Sequence, residues 1–210
     1  MAKVNAPDRT RDALLNAAKK LFALRGYDGT SVKELAQLAR CNVSLVSYHF
    51  KGKEGLYRAC LEQFGRTRLA AAERILSPAQ PTRSREEMRT RLAMFVEEMI
   101  ECHVAEPELS AMVHRECEQA LPRIPDIFEA TFLEIFRNLM SFFKSAQRRG
   151  LVRGAVDARL ASVYLFGAIL HLFRSDPLGK KFFGTTIRDP RYRAKAARNL
   201  VDLFVEGVAR

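Results

Sequence analysis

Five side chains within ten residues have the chemistry needed to contact a DNA groove. Ser44 and Ser47 carry small hydroxyls, Tyr48 a phenol, His49 an imidazole and Lys53 an ammonium group. Small polar groups allow close approach to base edges, whereas the longer side chains can reach phosphates. We therefore expect Ser44 and Ser47 to read bases, and Tyr48, His49 and Lys53 to bind the DNA backbone.

Two short helices joined by a tight turn would position these side chains. Ser31 can cap the first helix, because Glu34 three residues later completes a capping box. Asn42 is a good N-cap for the second helix, whose first residue, Val43, can meet a thymine methyl group. The backbone N–H groups of Thr30 and Ser31 lie at a helix N-terminus, which favours phosphate binding. The predicted DNA-binding set therefore also includes Thr30, Ser31, Asn42 and Val43.

The N-terminal third resembles the DNA-binding domain of TetR-family transcriptional regulators. The resemblance covers residues 9–64, through AAKKLFALRGYDGTSVKELA at 17–36 and NVSLVSYHFKGKEGLYRACL at 42–61. The positions that match the family pattern are Phe22, Gly26, Thr30, Ala36, Tyr48, His49, Phe50, Lys53, Glu54 and Leu56. This family usually has glycine in the turn where the chain has Arg40. If that position requires a positive φ, the arginine is strained by about 1 kcal/mol.

The distribution of charge favours a polyanionic partner at the N-terminal end. The net charge is +11, and residues 1–76, with 14 Lys/Arg and 7 Asp/Glu, carry +7 of it. Residues 77–210 carry only +4. A basic surface by itself only mildly favours nucleic acid, so the charge supports the helix-turn-helix prediction without establishing it.

Cysteine usage and hydropathy predict a cytoplasmic protein that does not enter a membrane. The four cysteines are scattered without a CxxC pair, and the first residues, MAKVNAPDRT, are polar. The longest nearly apolar run, residues 160–173, is too short to span a bilayer.

The pattern predicts an all-α protein of about nine helices. We assign residues 1–52 to a three-helix DNA-binding domain, with the helix-turn-helix motif at about 31–50. Residues 53–76 form a connecting helix. Residues 77–210 form a larger helical domain, which the resemblance identifies as the effector-binding and dimerisation domain. Within it, residues 174–189 are expected to form a loop, because they contain one proline and two glycines.

The sequence favours neither a zinc site nor a catalytic cysteine. Cys102, His103, His114 and Cys117 include a pair three residues apart, but their spacing matches no known zinc finger or ribbon. A cysteine nucleophile with a histidine partner is weaker still. We therefore predict no enzyme activity, no metal and no cofactor.

Phenylalanine and methionine residues in the middle of the larger domain are mostly core. Regulators of this family usually bind an effector between these helices, and such side chains would make an adaptable apolar pocket. The predicted pocket residues are Phe95, Met99, His103, Met112, Phe128, Phe132 and Phe136.

The last helices carry more apolar surface than one domain of this size can bury. The segment 158–173 is apolar nearly all round, and the C-terminal helix has more than one apolar face, which favours a four-helix dimer interface. The predicted interface residues are Leu160, Val163, Tyr164, Gly167, Ala168, His171, Leu200, Leu203 and Phe204.

These features together predict a dimeric regulator, most simply a repressor, that binds a palindromic DNA operator and is released by a small, mostly apolar effector. A ligand-independent regulator or an activator of the same fold is the alternative. A helical enzyme with a basic N-terminus would need a constellation of catalytic residues, and none is recognisable in the sequence.

Overall fold

The computed structural model describes residues 6–77 and 79–208, and these residues form helices and connecting turns with no β-strand. The all-α prediction is therefore confirmed for the described part of the chain. The helices are α1 (Ala6–Arg25), α2 (Val32–Leu38), α3 (Ser44–Phe50), α4 (Lys53–Leu76), α5 (Arg85–Ala105), α6 (Pro107–Glu118), α7 (Pro125–Phe128), α8 (Glu134–Arg148), α9 (Ala158–Arg174), α10 (Asp176–Phe183) and α11 (Pro190–Val208).

A π-helical turn, Glu129–Leu133, joins α7 to α8 without a break, so the described residues form ten helical segments, close to the nine predicted. One detail differs from expectation. The predicted loop at 174–189 contains α10, because Pro177 occupies the first turn and Gly184 ends the helix with a φ of 65°.

The described residues divide into two compact units that differ from the predicted domains. The N-terminal unit comprises residues 6–67 and 106–131, and the C-terminal unit comprises the described residues of 68–105 and 132–208. Helix α6, which the sequence assigned to the larger domain, therefore belongs to the same unit as the helix-turn-helix segment. Helix α4 begins in the N-terminal unit and ends in the other.

The N-terminal unit is built around the inner face of α1. Leu14, Ala18 and Phe22, spaced four residues apart, are fully buried on that face. The Phe22 ring packs edge-on against Tyr57 of α4 at a centroid distance of 5.0 Å. Helices α2 and α3 pack against α1 and are thereby positioned by this small core.

The C-terminal unit has a larger core, formed mainly by α5, α8, α9 and α11. Its helix ends are satisfied in two ways. Asp157 caps α9, because its carboxylate accepts from the N–H groups of Arg159 and Leu160 at 2.7 and 3.0 Å. Buried Arg91 of α5 donates to the carbonyl oxygens of Ile75 and Ser77, which satisfies the end of α4.

Candidate nucleic-acid interface

The capping box that opens α2 forms as predicted. The Glu34 backbone N–H donates to Ser31 Oγ at 3.2 Å, and the Ser31 N–H donates to Glu34 Oε2 at 2.9 Å. The hydrogen bond from the Ser31 hydroxyl holds the pKa of Glu34 below its ordinary value, and Arg25 assists at 2.6 Å. Because Glu34 occupies the Ser31 N–H, the predicted phosphate contact through that group requires the capping box to open.

Thr30 does not present its side chain to a ligand. It is 2% exposed, and its hydroxyl donates to the carbonyl oxygens of Gly26 at 2.9 Å and Leu21 at 3.3 Å. Its hydroxyl holds the chain after α1 instead. The contact with DNA predicted for Thr30 concerns its backbone N–H, and it stays a prediction.

The turn between α2 and α3 has the conformation that glycine usually supplies. Arg40 has a φ of 53°, and the following residue, Cys41, donates its N–H to the Ala36 carbonyl at 3.0 Å. A left-handed conformation costs a residue other than glycine about 1–2 kcal/mol. The chain keeps this turn with an exposed arginine in place of glycine.

Helix α3 begins at Ser44, one residue later than the sequence suggests. Asn42 still caps it, because Asn42 Oδ1 accepts from the Ser44 backbone N–H at 2.9 Å. The Ser44 hydroxyl also donates to Asn42 Oδ1 at 2.9 Å. With its proton used in this way, the hydroxyl offers only lone pairs outward, which suit an amino donor on adenine or cytosine.

The two sides of α3 differ sharply in exposure. Val46 and Phe50 point into the core, whereas Ser47 and Tyr48 are exposed, Tyr48 by 77%. Val43, just before the helix, is also exposed. The exposed surface therefore combines the apolar groups of Tyr48 and Val43 with hydroxyl groups. Such a mixed surface is typical of a binding site for a partner.

The predicted phosphate ligands flank this surface. His49 is half-buried, and its ring packs edge-on against Tyr48 at 5.0 Å. Lys53 opens α4, and its Nζ lies 4.3 Å from the centroid of the Tyr27 ring. The lysine is therefore held by a cation–π contact rather than moving freely in solvent.

A second cation lies over the same tyrosine, from a part of the chain that sequence reasoning placed elsewhere. Arg123, in the connection between α6 and α7, has Cζ 4.2 Å from the Tyr27 centroid. It also pairs with Asp28 at 3.1 Å. Nothing local in the sequence places Arg123 beside Tyr27, because Asp28 and Tyr27 lie 95 and 96 residues away from it.

A buried carboxylate links α6 to α4 within the N-terminal unit. Glu116 is 1% exposed and accepts from the Tyr57 hydroxyl at 2.9 Å and from the Arg123 backbone N–H at 3.2 Å. The Arg123 guanidinium lies 3.6 Å from Glu116 Oε1. Burial, together with the Glu116 carboxylate, raises the pKa of Tyr57, so the phenol remains a donor at physiological pH.

Arg115, the neighbour of Glu116, completes the attachment of α6. Its guanidinium donates to the carbonyl oxygens of Phe22 at 2.8 Å and Ala23 at 3.1 Å, in the last turn of α1. A cation at a helix C-terminus satisfies free carbonyls and complements the helix dipole. Sequence reasoning missed Arg115, Glu116 and Arg123 as parts of the DNA-binding unit.

The predicted effector-pocket residues do not all belong to one unit. Met112 and Phe128 lie in the N-terminal unit and the other five in the C-terminal unit. Phe95 and Met99 are buried in the core. Phe136 and Phe95 pack against Phe166, and His103 stacks on Phe173 at 4.3 Å, so the C-terminal unit holds two groups of contacting rings, together called the ring cluster.

A groove of about 530 Å³ opens elsewhere on the C-terminal unit, and sequence reasoning did not anticipate it. Part of its wall is formed by residues of α5 that are neighbours in the sequence of the buried Phe95 and Met99. Its walls combine carboxylates, two arginines and apolar side chains: Arg74, Ile75, Met94, Glu97, Glu98, Ile100, Glu101, Pro190, Arg193, Ala194 and Ala197.

The predicted dimer-interface residues lie largely on the surface of the single chain. Leu160, Val163, Tyr164, Gly167 and His171 are exposed along one stripe of α9. On α11, Leu203 is exposed, whereas Leu200 and Phe204 are half-buried. Ala168 is also half-buried. The structure has no second copy, so their role in dimerisation stays a prediction.

The described residues offer neither a metal site nor a membrane-spanning helix. These residues hold no group of three His, Cys, Asp or Glu side chains placed to bind a metal ion. Cys102 and His103 belong to the C-terminal unit, and His114 and Cys117 to the other. None of the described helices is long and apolar enough to cross a membrane.

Comparison with known proteins connects the helix-turn-helix segment to a family. The family described as bacterial regulatory proteins, tetR family, matches residues 14–60. The chain is 27% identical over 208 residues to the HTH-type transcriptional repressor NicS of Pseudomonas putida, covering 97% of the chain and 94% of that protein. It is 31% identical over 107 residues to the probable HTH-type transcriptional regulator YttP of Bacillus subtilis, and that match spans only 50% of YttP.

Solved structures show the same fold across nearly the whole chain. The ketosteroid transcriptional regulator KstR2 of Mycobacterium tuberculosis has a TM-score of 0.71 at 18% identity, covering 99% of this chain and 97% of that one. A γ-butyrolactone receptor described as ArpA-like has a TM-score of 0.66 at 23% identity, with coverage of 94% and 99%. The helix-turn-helix segment thus matches the tetR family of bacterial regulatory proteins, and the chain is similar over nearly its whole length to the repressor NicS.

Proposed function

We propose that this chain is a cytoplasmic repressor that binds a palindromic operator as a dimer and is released by a small, mostly apolar effector. The exposed face of α3 is the observation that carries the proposal. It presents Ser44, Ser47 and Tyr48 on a helix whose opposite side is locked into the core by Val46 and Phe50. A rigid helix with small hydroxyls outward suits the major groove.

The dimer follows from the size of the recognition surface. One seven-residue helix contacts only a few base pairs, so specific binding needs a second copy in the next major groove. The exposed apolar stripe on α9 supplies a surface on which a second copy can pack. A catalytic step forms no part of the proposal.

The choice of repression rests on the name of a relative. NicS is named a repressor, whereas YttP is named a probable regulator. An activator, or a regulator that ignores ligands, remains the alternative function. Placing the operator before a reporter gene separates these cases, since a repressor lowers expression and an activator raises it.

Substitution of Tyr48 by alanine tests the placement of α3 in the groove. We expect Tyr48→Ala to weaken binding to all sequences alike, because the phenol contacts the backbone. Ser44→Ala and Ser47→Ala are expected instead to change sequence preference, with about 1–3 kcal/mol of discrimination at stake. Fluorescence anisotropy with operator and single-base operator variants at moderate salt measures both effects.

Leu24→Ala is the matched control for these recognition-helix variants. Leu24 is as exposed as Tyr48 but lies on α1, so its truncation should leave operator affinity unchanged. Wild-type affinity in Tyr48→Ala would show that α3 is not the DNA-contacting helix. Loss of affinity in Leu24→Ala would show that truncation of any exposed apolar side chain weakens the fold.

The effector proposal rests on the ring cluster of the C-terminal unit. Phe136, Phe166 and Phe173 are only half-buried, although they contact other rings. Half-buried aromatic side chains, one of them stacked on His103, provide apolar surface and one polar group, which suits an aromatic or apolar compound. The name of one structurally similar protein points the same way, since KstR2 is a ketosteroid transcriptional regulator.

An effector should stabilise the protein against unfolding and lower its affinity for operator DNA. At a hundredfold excess over its dissociation constant, it should add about 2.7 kcal/mol to the free energy of unfolding. Operator affinity should fall by a coupling of about 1–3 kcal/mol. A thermal-shift screen of apolar and aromatic compounds, followed by operator release, measures both quantities.

Phe136→Ala connects this response to the ring cluster. It should alter the response to a compound while operator binding by the unliganded protein stays close to wild type. If compounds raise the melting temperature but none releases DNA, the regulator does not respond to ligands, and the alternative function is correct.

A further inference from the structure

Strained backbone conformations occur at both ends of the recognition helix α3. Among the described residues, four other than glycine have a positive φ: Arg40 (53°), Lys51 (59°), Ala120 (61°) and Leu121 (60°). This conformation costs free energy in any residue with a Cβ, whereas glycine adopts it without that cost. Strain that a fold retains at a few positions points to a use for the side chains found there.

The two strained residues that border α3 are both basic. Arg40 lies in the turn before the helix, and Lys51 is the C-cap, whose backbone N–H donates to the Ser47 carbonyl at 2.9 Å. This bond, like the one from the Cys41 N–H that closes the turn, is made by the main chain. Glycine would supply the same geometry, so the fold itself requires neither cation.

Neither cation is engaged by another side chain within the described part of the chain. Both side chains are exposed, and neither makes a hydrogen bond or an ion pair with the described residues. They differ in this respect from Lys53, which lies on the Tyr27 ring, and from Arg25, which pairs with Glu34 at 2.6 Å. Two exposed cations of this kind are available to an external anion.

The length of α3 matches the separation of the phosphate strands that border a major groove. A helix of seven residues is about 10 Å long, and the groove is about 12 Å wide. Laid across the groove, a helix of this length brings the residues just beyond its two ends to the phosphate strands on either side.

We propose that Arg40 and Lys51 form a phosphate clamp, which holds the DNA backbone at both ends of α3. The inference rests on the proposed placement of α3 in the major groove. It adds two contacts at positions where a cation is kept although glycine would strain the backbone less. Phosphate contacts give affinity and register but carry no base sequence. Loss of either cation should therefore weaken binding to every sequence and leave base preference unchanged.

Glutamine at either position tests the charge alone. Arg40→Gln and Lys51→Gln keep a Cβ and lose the cation, so affinity should fall about tenfold or more. The slope of log K against log salt concentration should become shallower by about one for each protomer bound. Arg40→Lys and Lys51→Arg should retain the slope. The probe is a DNA duplex that wild-type protein enriches from a random-sequence library, titrated by fluorescence anisotropy at several salt concentrations.

Glycine at either position tests the strain. Arg40→Gly and Lys51→Gly should lose as much affinity as the glutamine variants, yet melt about 1–4 °C higher than wild type, because glycine relieves the positive φ. Melting followed by circular dichroism measures this gain. Stability and DNA affinity should thus change in opposite directions, which a residue kept only for the fold would not show.

Two matched controls separate the clamp from backbone strain and from net charge. Ala120→Gly relieves a similar positive φ after α6, so it should raise the melting temperature and leave DNA affinity unchanged. Arg188→Gln removes an exposed arginine between α10 and α11 and should change neither quantity.

The possible results distinguish the clamp from the placement of α3. Glutamine variants with wild-type affinity and salt slope overturn the clamp, while a weakened Tyr48→Ala in the same assay leaves α3 in the groove. Wild-type affinity in Tyr48→Ala and in both glutamine variants overturns the clamp and the placement of α3 together. Glycine variants less stable than wild type also overturn the clamp, because the two cations would then be kept for the fold.

Discussion

Gly55→Ala is expected to destabilise the N-terminal unit by about 3 kcal/mol or more and to abolish specific operator binding. Gly55 lies in the first turn of α4, directly after the recognition helix. A Cβ at this position would overlap the Phe50 carbonyl oxygen and lie 2.9 Å from the carbonyl carbon. Both are backbone atoms at the end of α3, so no side chain can move aside. Either the unit fails to fold, or α3 must shift.

A shift of α3 would lower the measured affinity for operator DNA. The side chains that contact base edges must be held within hydrogen-bonding distance, and each tenfold loss in affinity corresponds to about 1.4 kcal/mol. Urea unfolding followed by far-UV circular dichroism measures stability, and anisotropy with operator DNA measures affinity. The two together show whether folding or only recognition has failed.

Gly207→Ala is the matched control for Gly55→Ala. Gly207 is also in a helix, α11, and nothing lies within 4 Å of an added Cβ. In that open position alanine is favoured over glycine by up to about 1 kcal/mol, so the control should be as stable as wild type or more so. Equal behaviour of the two variants would mean that α3 and α4 do not approach as closely as the structure shows.

Local signals in the sequence predicted the recognition motif well, because its bonds are local. Ser31 and Glu34 are three residues apart, and Asn42 caps α3 through a residue two positions away. The exposure of Tyr48 and the burial of Phe50 follow from helical periodicity alone. The burial of the Thr30 side chain could not be predicted from this pattern, because its hydroxyl bonds to carbonyl groups four and nine residues back.

Features that depend on distant partners could not be predicted. Tyr57 and Glu116 are 59 residues apart, and Arg115 reaches carbonyl groups 92 and 93 residues away. In the sequence, α6 is simply one more amphipathic helix after a proline. Helix α10 was predicted as a loop, because Pro177 and Gly184 mark the start and end of a short helix as readily as they mark a turn.

Glu116→Ala should destabilise the N-terminal unit by about 3–5 kcal/mol, because it removes one partner of a buried charged network. The substitution leaves the buried Tyr57 hydroxyl without its acceptor and the Arg123 guanidinium without its buried counter-charge. Glu116→Gln keeps an acceptor for Tyr57 but loses the charge, so its cost should be smaller, about 1–3 kcal/mol. The order of stability should therefore be wild type, glutamine, alanine.

Glu108→Ala separates this effect from the loss of any carboxylate on the same helix. Glu108 is exposed in the first turn of α6, where its charge is worth less than about 1 kcal/mol. Urea unfolding at a fixed protein concentration compares the three variants, and unchanged m-values would show that the same surface is exposed on unfolding in each.

Because Arg123 and Lys53 share the Tyr27 ring, Glu116→Ala should also reduce operator affinity in the fraction that remains folded. If Glu116→Ala is no less stable than Glu108→Ala, α6 is not bound to the DNA-binding helices through this carboxylate. Another interaction would then have to explain why α6 lies in the same compact unit as the DNA-binding helices.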